Sequence, residues 1–341
     1  MHLIIAEKHD AAKRIAQILA GGKPRSLRVA GVEAFQFDDR VVLGLSGHIV
    51  GIDYPQGYNN WQKVDCKDLI RAEIVVRPIQ EKIISALHKL GKEADRVTIA
   101  TDYDREGELI GVEALKIVEE AKPKIKADRV RYSAIVKDEI IKAFQDSGAV
   151  DYDLAASGEA RQIIDLVWGA ALTRYISLTS GRLGKEFLSV GRVQSPTLAL
   201  IVDREKEIQS FVPQPYWEIY ADLEKELRVQ HAKGRIWEKS EVDGIVSRLG
   251  PEGIIKSIES KQRIDRPPAP FDTTSFIAAA SGIGLSAANA MRIAEWLYTN
   301  GFISYPRTDN TVYPPSIDLA ALTRLFLTGA FAQEAARLLQ G

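Results

Sequence analysis

At 341 residues the chain exceeds one ordinary core, so two or three domains are expected. Apolar residues make up 45% and charged residues 27%, as in an ordinary globular protein, and no stretch approaches the roughly 18 apolar residues of a membrane helix. The formal net charge of −1 does not point to nucleic acid, and one cysteine, Cys66, excludes internal disulfides and CxxC zinc modules while fitting a reducing intracellular setting.

The N-terminus, MHLIIAEKHD, is no signal peptide, because charge follows four apolar residues at once. Leu3 to Ala6 reads as a buried strand and Ala11 to Leu19 as an amphipathic helix ended by Gly21-Gly22. β-type runs between Leu27 and Leu45 break at turns around Gly31 and Asp38-Asp39. Ile74 to Val76 leads into a helix over Pro78 to Leu90, and Val97 to Ala100 is a strand followed by a helix over Glu106 to Glu120. Arg129 to Tyr132 and the helix Lys137 to Phe144 complete a pattern of strands alternating with helices, which predicts a mostly parallel sheet covered by helices. Long arginine-dotted helices are expected over Leu154–Leu178 and Ser195–Ile208, and β-like alternation from Pro213 to about Ile264. The proline run at Arg266–Pro270 is a stiff connector. Helices follow near Thr274–Ala280, Ser286–Asn300 (stopped at Asn300-Gly301) and Ala330–Leu339.

Two segments suggest chemistry. In ATDYDREGE, Asp102, Asp104 and Glu106 are spaced two apart directly after an apolar strand. If strand geometry persists, the three carboxylates share one side and repel unless a hard cation such as Mg²⁺ sits between them. The competing reading is a solvated acidic helix start favoured by the helix dipole. Glu7 ends the first strand, so in a parallel sheet it would emerge at the same edge; alternatively it is an ordinary charged helix start. In GFISYPRTDN, Arg307 would share a side with Tyr305 in an extended segment and could hold a phosphate bidentately. A phenol with an ordinary pKa of about 10 needs a cation or a proton acceptor to attack, and a lone tyrosine is equally a half-buried core residue.

The motifs AEK (6–8), GH (47–48), ATDYDREGELIG (100–111), RQIIDLVWG (161–169), SVGRVQSPTLALIVDREKEIQSF (189–211), RPPAPFDTTSF (266–276) and LYTNGFISYPRTDN (297–310) stand in the order found in the type IA DNA topoisomerases. The chain resembles the archaeal and topoisomerase III-like branch of that family over nearly its whole length. The resemblance implies a multidomain α/β and α+β fold. Residues 1–150 would be a Rossmann-like Toprim domain and 151–210 the first part of a helical domain gripping single-stranded DNA. Residues 211–265 would begin a β-rich arch, and 266–341 a truncated gate domain carrying the tyrosine.

The implied reaction is ATP-independent: Tyr305 cleaves one strand as a 5′-phosphotyrosine, another strand passes, and religation follows, relaxing negative supercoils. By the same resemblance Arg307 orients the phosphate, Glu7 acts at the leaving 3′-oxygen and Lys8 stabilises the transition state. Asp102, Asp104 and Glu106, with Glu7, would hold Mg²⁺. Arg161 and Asp165 match a pair near the scissile strand (or form a plain i,i+4 ion pair), and Arg192 and Gln194 match DNA-contacting positions. A turn role and a functional role are equally open for His48. Glu295 and Thr299 stand where some members carry Gln and Glu, so neither is assigned a role. The substrate would be single-stranded or negatively supercoiled DNA, in the cytoplasm with the nucleoid and with no membrane. Members of the family continue far beyond their tyrosine, so this chain is expected to be an N-terminal portion, either a fragment or one product of a split gene whose remaining half is a separate chain. The alternative is an inactive single-stranded DNA-binding module.

Overall fold

The structure, a computed structural model, describes residues 1–313 and 317–340; Pro314 to Ser316 and Gly341, within the expected tyrosine-bearing segment, lie outside them. Two compact units are formed, one by Met1–Arg192 with Pro268–Gly341 and the other by Val193–Pro267.

The first unit is built on a six-stranded sheet. Its early elements are β1 (His2–Ala6), α1 (His9–Ala20), β2 (Arg25–Val29), β3 (Val32–Phe37), β4 (Arg40–Gly44), β5 (Val50–Asp53), α2 (Cys66–Arg71), β6 (Val75–Pro78) and α3 (Glu81–Glu93). Then follow β7 (Arg96–Ala100), α4 (Arg105–Ala121), β8 (Lys126–Arg129), α5 (Lys137–Gln145) and the 28-residue α6 (Tyr152–Thr179). The strand order is β2-β3-β4-β1-β7-β8; β1 runs parallel to β4 and β7, and β7 parallel to β8, while β2, β3 and β4 pair antiparallel. β5 and β6 form a separate antiparallel pair. The expected mostly parallel sheet is therefore present at its centre, with an antiparallel edge.

From Leu3 to Ala6, β1 is apolar and buried because both of its faces are covered, as parallel strands require. Leu3 and Ile5 pack with Ile83, Leu87, Ile110 and Leu115 from α3 and α4. Ile4 and Ala6, pointing the other way, pack with Ala12 and Ile15 of α1 and Ile140 of α5. Tyr298, from near the other end of the chain, joins that second layer. It lies on α10 (Ala287–Thr299), which follows α9 (Thr273–Gly282) and precedes two short helices, Leu319–Arg324 and Ala332–Gln340.

In the second unit the helix α7 (Gln194–Ser210) leads to two three-residue strands, Tyr220–Asp222 and Arg228–Gln230, paired antiparallel, and to the helix α8 (Lys239–Val246). The expected alternation from Pro213 to Ile264 is realised only there and in a Trp217–Ile236 bridge; residues 247–264 form no strand. Ile254, Ile255 and Ile258 are largely exposed, so the apolar pattern has no paired surface to fold against among the described residues. Among those residues no single helix is long and apolar enough to cross a membrane.

Candidate active site

The parallel register Ala6↔Ala100 fixes what stands beyond the two strand ends. Glu7 leaves β1 where Thr101 and Asp102 leave β7, and the Asp102 amide donates to Glu7 Oε2 at 3.3 Å. The expectation that these acids meet across the sheet edge agrees with this geometry. The expectation that Asp102, Asp104 and Glu106 alternate along a strand does not. β7 ends at Ala100, and Asp104 is the N-cap of α4, its Oδ1 accepting from the Gly107 amide at 2.7 Å. A Cβ on Gly107 would stand 2.2 Å from the Asp102 carbonyl oxygen, so only glycine lets the loop close this tightly. Glu106, in the first turn of the helix, faces His48 Nε2 at 3.4 Å and Arg161 Nη1 at 3.5 Å.

Around Asp102 the charges are crowded. Its carboxyl is buried, and burial raises its pKa against the pull of Lys8, whose Nζ lies 3.6 Å away. Tyr298 donates to Asp102 Oδ1 at 2.9 Å. The Glu7 carboxyl is pushed up to about 7 by burial, with the charges of Asp102 and Asp104 adding to it and Lys8 opposing. Lys8 is desolvated too, yet Asp102, Glu295 and Glu7 outweigh that and raise its pKa. It forms an ion pair with Glu295 on α10 and lies 3.7 Å from Glu7. The other oxygen of Glu295, Oε2, is buried with no partner among the described residues. Thr299 donates only to the Glu295 carbonyl within its own helix, at 2.6 Å.

Tyr305 reaches this group from the opposite end of the chain. α10 is capped at its C-terminus by Asn300 (φ −88°), and the left-handed turn is taken by Gly301 alone (φ 76°). A Cβ on Gly301 would stand 2.8 Å from the Ile135 carbonyl oxygen. The Tyr305 amide then donates to the Ser133 carbonyl at 2.8 Å, and its hydroxyl donates to Asp104 Oδ2 at 2.5 Å. The ring packs edge-on against Tyr298, centroids 5.1 Å apart. Burial, then the negative charge of Asp102 and the bond to Asp104, hold the phenol protonated far above its ordinary range. Arg307 lies on the following loop, exposed, with Tyr305 and Arg307 on the wall of one cavity.

A second network runs along α6. His48 lies 3.2 Å from Glu113 and from Gln162, and the Glu113 hydrogen bond, outweighing burial, raises its pKa. Arg161 is 3.9 Å from Asp165 one turn on, and Asp165 accepts two hydrogen bonds from Arg192, at 2.7 and 3.2 Å. Arg161, Asp165 and Arg192 are thus brought together with Glu106, whereas Gln194 opens the first helix of the second unit.

No group of three or more acid, histidine or cysteine side chains stands in a metal-holding arrangement among the described residues. Glu106 is turned to His48 and Arg161 and does not join the other acids. The donor chemistry of Glu7, Asp102 and Asp104 nevertheless fits a hard cation: all three offer oxygen, and the charges of Asp102 and Asp104 add to the burial that lifts Glu7.

Sequence reading passes over three residues here. Glu295 and Tyr298 meet Lys8 and Asp102, and Arg129, fully buried, donates to the carbonyls of Thr101 and Asp102 at 2.8 Å each. Tyr298 falls inside the motif LYTNGFISYPRTDN and Glu295 just before it, but nothing in their spacing signals the contacts with Asp102 and Lys8.

Residues 2–135 match the Toprim domain and residues 149–340 the DNA topoisomerase family. DNA topoisomerase 1 of Archaeoglobus fulgidus is 49% identical, over 98% of this chain and 50% of that protein. DNA topoisomerase 3-alpha of Drosophila melanogaster is 32% identical, over 97% of this chain and 29% of that protein. The solved full-length topoisomerase I of Thermotoga maritima superposes with a TM-score of 0.68 at 27% identity, over 97% of this chain and 53% of that one. The chain spans about half the length, or less, of the curated relatives it matches. With a Toprim sheet edge of acids facing a tyrosine loop and both family matches in order, the chain belongs to the type IA DNA topoisomerases and corresponds to their N-terminal portion.

Proposed function

We propose that this chain carries the cleavage centre of an ATP-independent DNA topoisomerase that cuts one strand, passes another through the gap and reseals, relaxing negatively supercoiled DNA in the cytoplasm. Residues 1–150 would act as the Toprim domain, 151–210 as the start of the strand-gripping domain, 211–265 as the start of the arch and 266–341 as the start of the gate. The observation that carries this reading is the Tyr305 hydroxyl set at 2.5 Å against Asp104, beside Glu7 and Lys8.

The phenol oxygen attacks a backbone phosphorus, its proton leaving toward Asp104, and the bond from phosphorus to the 3′-oxygen breaks. Glu7, with a pKa near neutrality, gives its proton to that oxygen. Lys8 and Arg307 counter the charge gathered on the phosphoryl oxygens. The ester on Tyr305 conserves the bond energy, and the same groups run the step backwards on religation. Mg²⁺ held by Asp102 and Asp104, with Glu7, would supply positive charge that aligns the severed ends and screens these acids. Arg161 and Arg192, organised by Asp165, would hold the phosphates of the bound strand.

A labelled single-stranded oligonucleotide tests this directly. The chain should form a denaturant-resistant protein–DNA adduct with a free 3′-hydroxyl; binding without any adduct would leave only a DNA-binding module.

Replacing Asp102 alone by asparagine removes one of the cation-holding carboxylates and leaves Asp104 in place as helix cap and proton acceptor for the phenol. Mg²⁺-dependent religation should fall about a hundredfold, as for loss of preorganised charge, and cleavage by much less. Equal losses in the two half-reactions would remove the metal role.

The proton on Glu7 gives a pH signature. The acid form is the reactive one in cleavage and predominates below about 7. Single-turnover adduct formation without divalent ions should therefore be fastest at lower pH and decline as pH rises through about 7. Glu7→Gln should be slow throughout and lose that inflection; an unchanged inflection in the variant would assign it elsewhere.

A further inference from the structure

The motif RPPAPFDTTSF takes no part in the chemistry above, yet its Pro270, Phe271, Asp272 and Phe276 build a wall beside the nucleophile. Asp272 and Ser275 form a capping box that starts α9. Thr273 Oγ1 donates toward the carbonyls of Pro306 (2.8 Å) and Thr308 (3.0 Å) and accepts from the Thr308 amide at 2.8 Å. This ties the start of α9 to the loop after Tyr305. Between them lies a cavity of about 680 Å³, within the range of nucleotide-sized pockets.

Its lining is mixed. Tyr103, Phe271 and Tyr313 reach it while 53%, 61% and 42% exposed, and Phe276 meets Phe271 edge-on at 6.3 Å. Exposed aromatics around an open cavity are what unpaired bases stack on. Arg131, 5.9 Å over the Tyr103 ring, and Arg307 add positive charge. The two wall acids are already engaged: Asp272 caps α9, and Glu139 accepts from the Ser133 amide and hydroxyl at 3.1 and 2.8 Å.

Polarity selects the occupant. Tyr305 lines the cavity, whereas Glu7, Lys8, Asp102 and Asp104 do not. In the reaction proposed above, on which this inference rests, the 3′-oxygen departs on the side of those four residues. The 5′-oxygen stands equatorial to the line from phenol to departing oxygen, so the nucleotide that stays esterified to Tyr305 leaves that line sideways, and the cavity lined by Tyr305 is open space beside it. We propose that this cavity is a subsite for the first nucleotide on the 3′ side of the break, stacking its base on Phe271 and Tyr313 and holding its downstream phosphate with Arg131. It keeps the covalently held end in place while the gap is open.

The test measures single-turnover adduct formation on oligonucleotides carrying one abasic position immediately 3′ or immediately 5′ of the mapped break. The 3′ abasic site should slow the unaltered chain about tenfold, the scale of one lost base stack, and the 5′ site much less. Phe271→Ala and Tyr313→Ala, truncations of exposed side chains, should be slowed similarly on intact DNA and lose little more from the 3′ abasic site. Phe271→Tyr should restore the rate. A binding measurement separates this from failed chemistry: 2-aminopurine at the 3′ position should be quenched on binding to Tyr305→Phe, and not when Phe271→Ala is added. Equal sensitivity on both sides of the break, additive losses or unchanged quenching would overturn the subsite while leaving cleavage intact. Absence of adduct from the unaltered chain, with quenching retained, would overturn the cleavage reading alone.

Discussion

Tyr305→Phe is expected to abolish the covalent protein–DNA adduct, by at least about a thousandfold, as when a catalytic nucleophile is removed, with single-strand binding near that of the unaltered chain. The substitution removes one oxygen and one hydrogen bond, the 2.5 Å contact to Asp104, and leaves the ring on Tyr298. The half-buried pocket keeps its volume, so thermal unfolding should change little, and a fall in adduct cannot be assigned to misfolding. The phenol is held protonated in this arrangement by burial and three nearby acids. Lys8 and Arg307 must offset that field, and the charge of the entering phosphate, before attack. Lys8→Ala should consequently slow cleavage as well, although the tyrosine is intact. Quantifying adduct on denaturing gels, with peptide mapping of the labelled residue, checks the assignment; undiminished adduct in Tyr305→Phe would transfer the nucleophile to another residue.

Much of this centre is legible in the sequence because it follows from strand order and periodicity. An apolar run at Leu3–Ala6 and a second β-type run at Val97–Ala100 signal neighbouring parallel strands, and their ends then bring Glu7 to Asp102. Spacing alone misplaces Glu106, because the period of the chain changes from two to 3.6 at Asp104, where capping the helix takes precedence over extending the strand. Residues 247–264 mislead for a different reason. Isoleucine alternation reports a preference for strand, while a strand also needs a partner edge, and none is found there among the described residues. The Lys8–Glu295 and Tyr298–Asp102 contacts join sites far apart in sequence and depend on tertiary packing, which leaves no periodic trace.

Arg129 is the least legible of these residues, since a buried arginine and a surface arginine look alike in sequence, and its replacement by methionine should destabilise the fold by about 3–5 kcal/mol, the usual cost of stranding one partner of a buried ion pair. Both Arg129 and Glu108 have fully buried side chains, joined at 2.8 Å. Removing the cation leaves Glu108 with only the Asp151 amide, at 2.8 Å, and the distant Arg131 guanidinium, at 4.0 Å. Adding Glu108→Gln removes the stranded charge and keeps an acceptor for Asp151, so the double variant should recover a large part of the lost stability in chemical denaturation. Cleavage should not recover with it. Arg129 also donates to the carbonyls of Thr101 and Asp102, the backbone that sets the acids against Tyr305, and glutamine at 108 cannot replace those two bonds. A double variant that is stable but slow would make Arg129 a positioning residue for the acidic loop. Stability and cleavage recovering together would mean that the ion pair only holds the fold, and that the loop takes its shape from the Asp104 cap and the Gly107 close approach.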